Sequence, residues 1–278
     1  MWIIRTALLF GLLTGLLLGI GYLVGGSSGA FVALIFAGAM NFISYWFSDK
    51  IVLSMYGAKE ISENENPALH ASTASLAQKA GIPKPKIYFV NNPSPNAFAT
   101  GRSPAKGAVV VTKGLLDNME MREVEGVIAH ELGHIKNRDT LISAMAATVA
   151  GAISFIANML QWSLFARRDE RNNSGGALFA IIFAPFMAML IQLAISRSRE
   201  YSADSFGAKI ASPLNLASAL RKLDNVTQRV PMRADPSTGH LFIVNPFKGG
   251  LASLFMTHPP LQDRIKRLEE MAYPKLVR

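Results

Sequence analysis

Five consecutive residues, His130-Glu131-Leu132-Gly133-His134, carry the clearest chemistry in the chain. In a helical segment, two histidines four positions apart lie on one face, so both imidazoles reach a single metal ion. Glu131 sits about 100° around such a helix from His130, close enough to take a proton from a water on that metal. HExxH on a helix is the spacing of zinc-dependent peptide hydrolysis. The plainer alternative is a pair of histidines that face a core.

A catalytic zinc takes three protein ligands and keeps a position open for water. The chain has five histidines (His70, His130, His134, His240, His258) and no cysteine, so neither a thiolate site nor a disulfide framework can form. Thr140 stands where an HExxHxxGxxH pattern would have its third histidine. Glu200, within Arg199-Glu200-Tyr201-Ser202-Ala203-Asp204, is the best third ligand, with His240 and His258 as alternatives. Asp204 lies one turn beyond Glu200 on the same predicted helix face. A carboxylate there can hydrogen-bond a ligand imidazole, fixing its tautomer and raising its basicity. The competing reading makes Glu200 and Asp204 a solvated face.

The elements that must position these groups separate by hydropathy. Ile3 to Val24 and Ala30 to Phe47 contain no charge except Arg5, and each approximates the twenty apolar residues that cross a bilayer. The short uncharged Gly25-Gly26-Ser27-Ser28-Gly29 linker makes them a transmembrane hairpin over residues 1–47, a retained anchor and not a signal peptide. Leu141 to Phe165 and Ala177 to Ser196 form a second uncharged pair within 141–196. Arg167, Arg168 and Arg171 in their connection oppose a full crossing on charge bias, so a pair lying partly in the interface stays open. Topology adds one condition: Glu200 meets His130 only if the intervening pair crosses twice or not at all.

Between the apolar pairs, residues 48–140 read as a compact catalytic unit. Asn66-Pro67 opens a helix that Gly81 ends. Ile87 to Val90, Ala97 to Thr100 and Ala108 to Thr112 read as strands. Asp117 or Asn118 caps the next helix, which runs to about Arg138 and carries the HExxH; Glu120 and Glu123 suit its positive end. Asp139 either anchors that helix or caps the following one, and His70 reads as a helix-surface residue. Residues 197–278 complete the unit, with an amphipathic helix near Pro260 to Ala272 and a loop from Pro231 to Gly250. The fold class is a mainly α membrane protein with a small α+β catalytic unit and a zincin-like core.

The net charge of +9 points away from nucleic acid once divided. Residues 48–140 hold eleven basic and ten acidic groups, whereas residues 197–278 hold thirteen and seven, with no basic run interleaved with aromatics. The excess suits anionic lipid headgroups or the positive-inside bias. By that bias Lys50 and Lys59 put the catalytic unit in the cytoplasm.

Taken in order, the hairpin, HELGH, the apolar pair and Arg197-Ser198-Arg199-Glu200-Tyr201-Ser202-Ala203-Asp204 resemble the HtpX-type membrane-bound zinc metalloproteases, relatives of the CAAX prenyl endopeptidases. The resemblance covers essentially the whole chain. It implies one Zn2+ held by His130, His134 and Glu200, with Glu131 as general base and Asp204 supporting a ligand. Asn96-Ala97-Phe98-Ala99 resembles the family's edge-strand motif, which binds an extended substrate by strand addition; Asn96 also reads as a turn residue. Thr257-His258-Pro259-Pro260, with Arg264 beyond it, resembles a late family segment. It makes His258 or Arg264 a catalytic stabiliser of the oxyanion, against a plain loop role for His258. The family implies proteolytic quality control in a bacterial inner membrane, with unfolded or membrane-protein substrates and the lipid bilayer as partners. A zinc-stabilised adaptor without activity is the alternative. A transporter is disfavoured because the apolar segments carry almost no ionisable group.

Overall fold

Gly25 and Gly26 interrupt the first helix. Helix α1 spans Trp2–Met55, but Gly26 has φ 59° and ψ −144°, a combination open to glycine alone, and the backbone turns there. Across the break Asn41 Nδ2 donates to Thr14 Oγ1 at 3.0 Å. A straight helix would hold those residues about 40 Å apart, so the two parts of α1 fold back on each other across Gly25 and Gly26. The computed structural model describes residues 2–146, 197–229, 243 and 259–273. Among them one helix, Gly25–Met55, is long and apolar enough to cross a membrane. The second apolar pair from residue 147 onward, the Arg167–Arg171 connection, His240 and His258 lie outside the described residues.

The helix continues past Phe47, where the apolar span was read to end. Val52 is buried there and packs with Leu53 and Tyr56 against Val90, Phe98 and Val110. These belong to a four-stranded mixed sheet of β1 (Lys59–Glu60), β2 (Lys86–Val90), β3 (Ala97–Thr100) and β4 (Ala108–Thr112). Its order is β1-β2-β4-β3, with β2 parallel to β4 and β3 antiparallel to β4. Alternation divides the faces: Phe98 and Val110 meet α1, while Ala97, Ala99, Val109 and Val111 join the main core. Strands β3 and β4 match the sequence reading, and β2 starts one residue earlier. The two residues of β1 are too few to leave a periodic signal.

Helix α2 (Pro67–Ala80) starts and stops as expected, with Asn66 Oδ1 accepting the Leu69 amide at 3.1 Å and Gly81 at φ 68°. His70 corrects its reading: it is buried, with Nε2 3.1 Å from the Ile61 carbonyl oxygen. Asp117 and Asn118 also differ from expectation. They end a separate short helix, α3 (Lys113–Asn118), whose first turn Thr112 caps. Extended Met119 and Glu120 then break the chain. Helix α4 (Met121–Asn137) begins with a capping box in which the Glu120 amide donates to the Glu123 carboxylate at 2.9 Å.

Helix α4 lies between the sheet and the C-terminal helices α5 (Arg197–Ile210), α6 (Pro213–Arg229) and α7 (Leu261–Ala272). The amphipathic helix read near residue 260 is α7. Val124, Val127, Ile128, Leu132 and Ile135 of α4 are all buried in the core. At Gly126 the start of α6 comes so close that a Cβ would sit 2.7 Å from the Leu216 amide nitrogen. Gly126→Ala therefore sets a helix-propensity gain of about 1 kcal/mol against overpacking that typically costs about 1–3 kcal/mol. Backbone cannot yield as a flexible side chain does, so the clash should win and lower Tm by several degrees. A thermal melt with unchanged or raised Tm would show that α4 and α6 separate freely.

Candidate metal centre and active site

His130 and His134 occupy successive turns of α4 and bring their Nε2 atoms within 3.2 Å of each other, with ring planes at 88°. Glu200, in the first turn of α5, places Oε2 3.7 Å from His130 Nε2 and Oε1 3.4 Å from His134 Nε2. Ligands about 2.0–2.1 Å from a tetrahedral zinc lie about 3.3 Å from one another. All three separations match that spacing, so this donor set fits zinc. Charge agrees with geometry. The carboxylates of Glu131, Asp139, Glu200 and Asp204 face the guanidinium groups of Arg199 and Arg264, all buried. With every acid ionised, two negative charges are left over, which a divalent cation cancels.

Small residues allow the approach of α5. A Cβ on Gly207 would lie 2.9 Å from the His130 amide nitrogen, and one on Gly133 would lie 3.1 Å from Ala203 Cα. The two helices touch through backbone, and Glu200 reaches the histidines without bridging a gap.

Each imidazole is held from behind. His130 Nδ1 is 2.9 Å from Asp204 Oδ1, and His134 Nδ1 is 3.3 Å from Asp139 Oδ2. A carboxylate on Nδ1 keeps the proton there and leaves Nε2 for a metal. Asp139 thus does the anchoring that the sequence left open, and it also meets Arg199 Nη1 at 3.5 Å. Arg264, fully buried on α7, grips Asp204 with two charge-assisted hydrogen bonds, Nε to Oδ2 at 2.8 Å and Nη2 to Oδ1 at 2.7 Å. Its Nη1 donates to the Ile243 carbonyl at 3.3 Å and lies 3.6 Å from Glu200 Oε2.

This arrangement moves the proton affinities apart. Burial, reinforced by Glu200, raises the Glu131 carboxyl to about 7, against the pull of His134, the Ala99 amide and Arg264. Burial alone would lower His134, but Glu200, Asp139 and Glu131 outweigh it and raise the imidazole to about 9. Around that ring the field calls for a cation, either a proton or a metal ion. Burial raises Asp204, yet Arg264 and His130 hold it at about 2.

The strand read as a substrate edge is the outer strand of the described sheet. Asn96 is buried and pairs inward, its carbonyl accepting the Thr112 amide at 3.0 Å. By strand alternation Ala97 and Ala99 direct their N–H and C=O groups away from β4, and the Ala99 amide hydrogen-bonds Glu131. Phe98 packs behind, its ring 5.2 Å from that of Tyr56. Asn96 Oδ1 accepts the Ile243 amide at 3.2 Å. Ile243 joins the site through main-chain atoms only, so no residue type marked it in the sequence. Arg199 adjoins Glu200 in sequence, but its contact with Asp139 is set by the fold.

Residues 63–272, which include His130, Glu131, His134, Glu200, Asp204 and Arg264, match the model of Peptidase family M48. The chain belongs to that family. The protease HtpX homolog of Aquifex aeolicus is 54% identical over 269 residues, covering 93% of this chain and 89% of that protein. The protease HtpX homolog of Pyrococcus furiosus is 54% identical over 279 residues, covering 98% and 96%. The crystal structure of S. mikatae Ste24p aligns with 96% of this chain and 65% of its own at TM-score 0.54 and 20% identity. It shows a shared fold, in which this M48 chain spans about two thirds of the Ste24p length. The resemblance drawn from HELGH and the Glu200 segment is borne out.

Asp204→Asn keeps the size of the side chain and removes the charge behind His130. Loss of a partner behind a metal ligand typically costs about 10–100-fold in metal affinity. Zinc competition against a chromophoric chelator should register that drop, and equal affinity in the variant would make Asp204 a packing residue only.

Proposed function

We propose that this M48 chain is a membrane-anchored zinc endopeptidase that cleaves extended segments of unfolded or membrane proteins, in the manner of quality control. The observation that carries this reading is the convergence of His130 Nε2, His134 Nε2 and the Glu200 carboxylate beside Glu131, with β3 as the outer strand of the described sheet. These three residues would hold the zinc, which when bound lowers the pKa of water and polarises the scissile carbonyl. Glu131, with proton affinity near neutrality, takes the proton from the attacking water and returns it to the leaving amine. The Ala97 N–H and C=O and the Ala99 C=O are the main-chain groups for a substrate strand, a mode that selects chains without stable structure. Asp204 and Asp139 keep the imidazoles oriented. Arg264 acts through Asp204 as a positioning residue, and His258 is the proposed oxyanion donor.

The Gly25–Met55 helix and its exposed apolar face support attachment to a bilayer. Lys50, near the end of that helix, and Lys59, beyond it, favour a cytoplasmic catalytic unit in the inner membrane of a bacterial cell. The catalytic reading predicts that Glu131→Gln abolishes turnover of an unfolded casein-type substrate, by about 10²-fold or more, while zinc content stays near one per chain. Persisting cleavage in the variant would remove Glu131 from the chemistry. No cleavage by the zinc-loaded wild type would favour the adaptor reading.

A further inference from the structure

The membrane end of the molecule carries a second site. A cleft of roughly 530 Å³ opens between the last turns of the apolar helix and the loop that follows β3. Phe42, Trp46 and Phe47 form its apolar wall, and they are 59%, 44% and 42% exposed. Lys50 continues the Phe42–Trp46 face one turn further on, while Arg102 and Lys106 close the opposite side from the loop. The Arg102 guanidinium lies 4.2 Å from the Trp46 ring centroid, and Lys50 Nζ lies 5.6 Å from that of Phe47. Asp49 is the one acid in the lining, and its Oδ1 accepts the Lys50 amide at 2.9 Å. The rim therefore carries two net positive charges above aromatic walls.

Depth along the helix says what fits there. From Gly25, about twenty residues at 1.5 Å each cross the hydrocarbon, which brings Trp46 and Phe47 to the water interface and Lys50 to headgroup level. We propose that this cleft binds one anionic glycerophospholipid, its acyl chain along Phe42 and Trp46 and its phosphate among Lys50, Arg102 and Lys106. A soluble anion would need the cationic rim but not the exposed aromatic wall; a lipid needs both. The inference rests on the membrane attachment proposed above. It goes beyond attachment, because Arg102 follows Gly101 directly after the β3 edge. A bound headgroup would tie the loop after the substrate strand to the membrane helix.

The test uses full-length Glu131→Gln protein, which prevents self-digestion, inserted in nanodiscs of phosphatidylcholine with a minor share of phosphatidylglycerol. Lipid retained on release is read by native mass spectrometry, and zinc content verifies the fold of each variant. Phosphatidylglycerol should be retained preferentially. Arg102→Gln with Lys106→Gln should cut that retention by an order of magnitude or more, Trp46→Ala should weaken it as well, and the distant pair Lys113→Gln with Arg122→Gln should leave it unchanged. Equal retention in wild type and the Arg102/Lys106 variant overturns the site, as does displacement of the lipid by millimolar inorganic phosphate. Failure to insert into discs overturns the membrane reading with it, whereas insertion without lipid preference overturns this proposal alone.

Discussion

Two helices whose backbones touch make the metal centre possible. Gly207 of α5 rests on the backbone of His130 with no room for a Cβ, and Gly133 of α4 faces Ala203 so closely that a Cβ would fit only tightly. That contact sets how far Glu200 stands from the two imidazoles. A carboxylate has a short reach, so a helix pair held apart by ordinary side chains would leave the third ligand out of range. Packing and coordination are one constraint here, because the atoms that fix the helix spacing also fix the ligand triangle.

Around that triangle the charges form a closed arrangement. Asp204 orients His130 and is itself held by Arg264; Asp139 orients His134 and meets Arg199. Burying several ions costs more than most pairs return, so these groups are poor devices for stability alone. Their effect is directional, aiming two ring nitrogens at one point and holding a carboxylate against them. The same crowding keeps Glu131 close to the neutral range, where a group can both accept and give up a proton.

Much of this was legible in the residues. HExxH marks its own geometry because helical periodicity puts i and i+4 on one face, and the Glu200–Asp204 pair follows the same rule. Strands β3 and β4 announce themselves by β-branched and apolar runs between turns. Where the sequence misled, a local pattern hid a tertiary contact. His70 sits among polar and small neighbours yet is buried through its bond to the Ile61 carbonyl, and Asp117 looks like a cap although the real break comes two residues later. Ile243 was invisible because its part is played by amide and carbonyl, which every residue has. Arg264 was found through its segment, but its grip on Asp204 needed the fold.

The bidentate hold on Asp204 comes from α7, the last helix described in the chain. Ribosomes deliver that helix after the histidines, the edge strand and α5 have all been made. Until residues 261–272 dock, Asp204 lacks its counter-ion and His130 lacks a settled support. A nascent copy, still threading out beside other unfinished polypeptides, thus passes its most exposed moments without a completed centre. The centre is complete only once α7 has docked on Asp204.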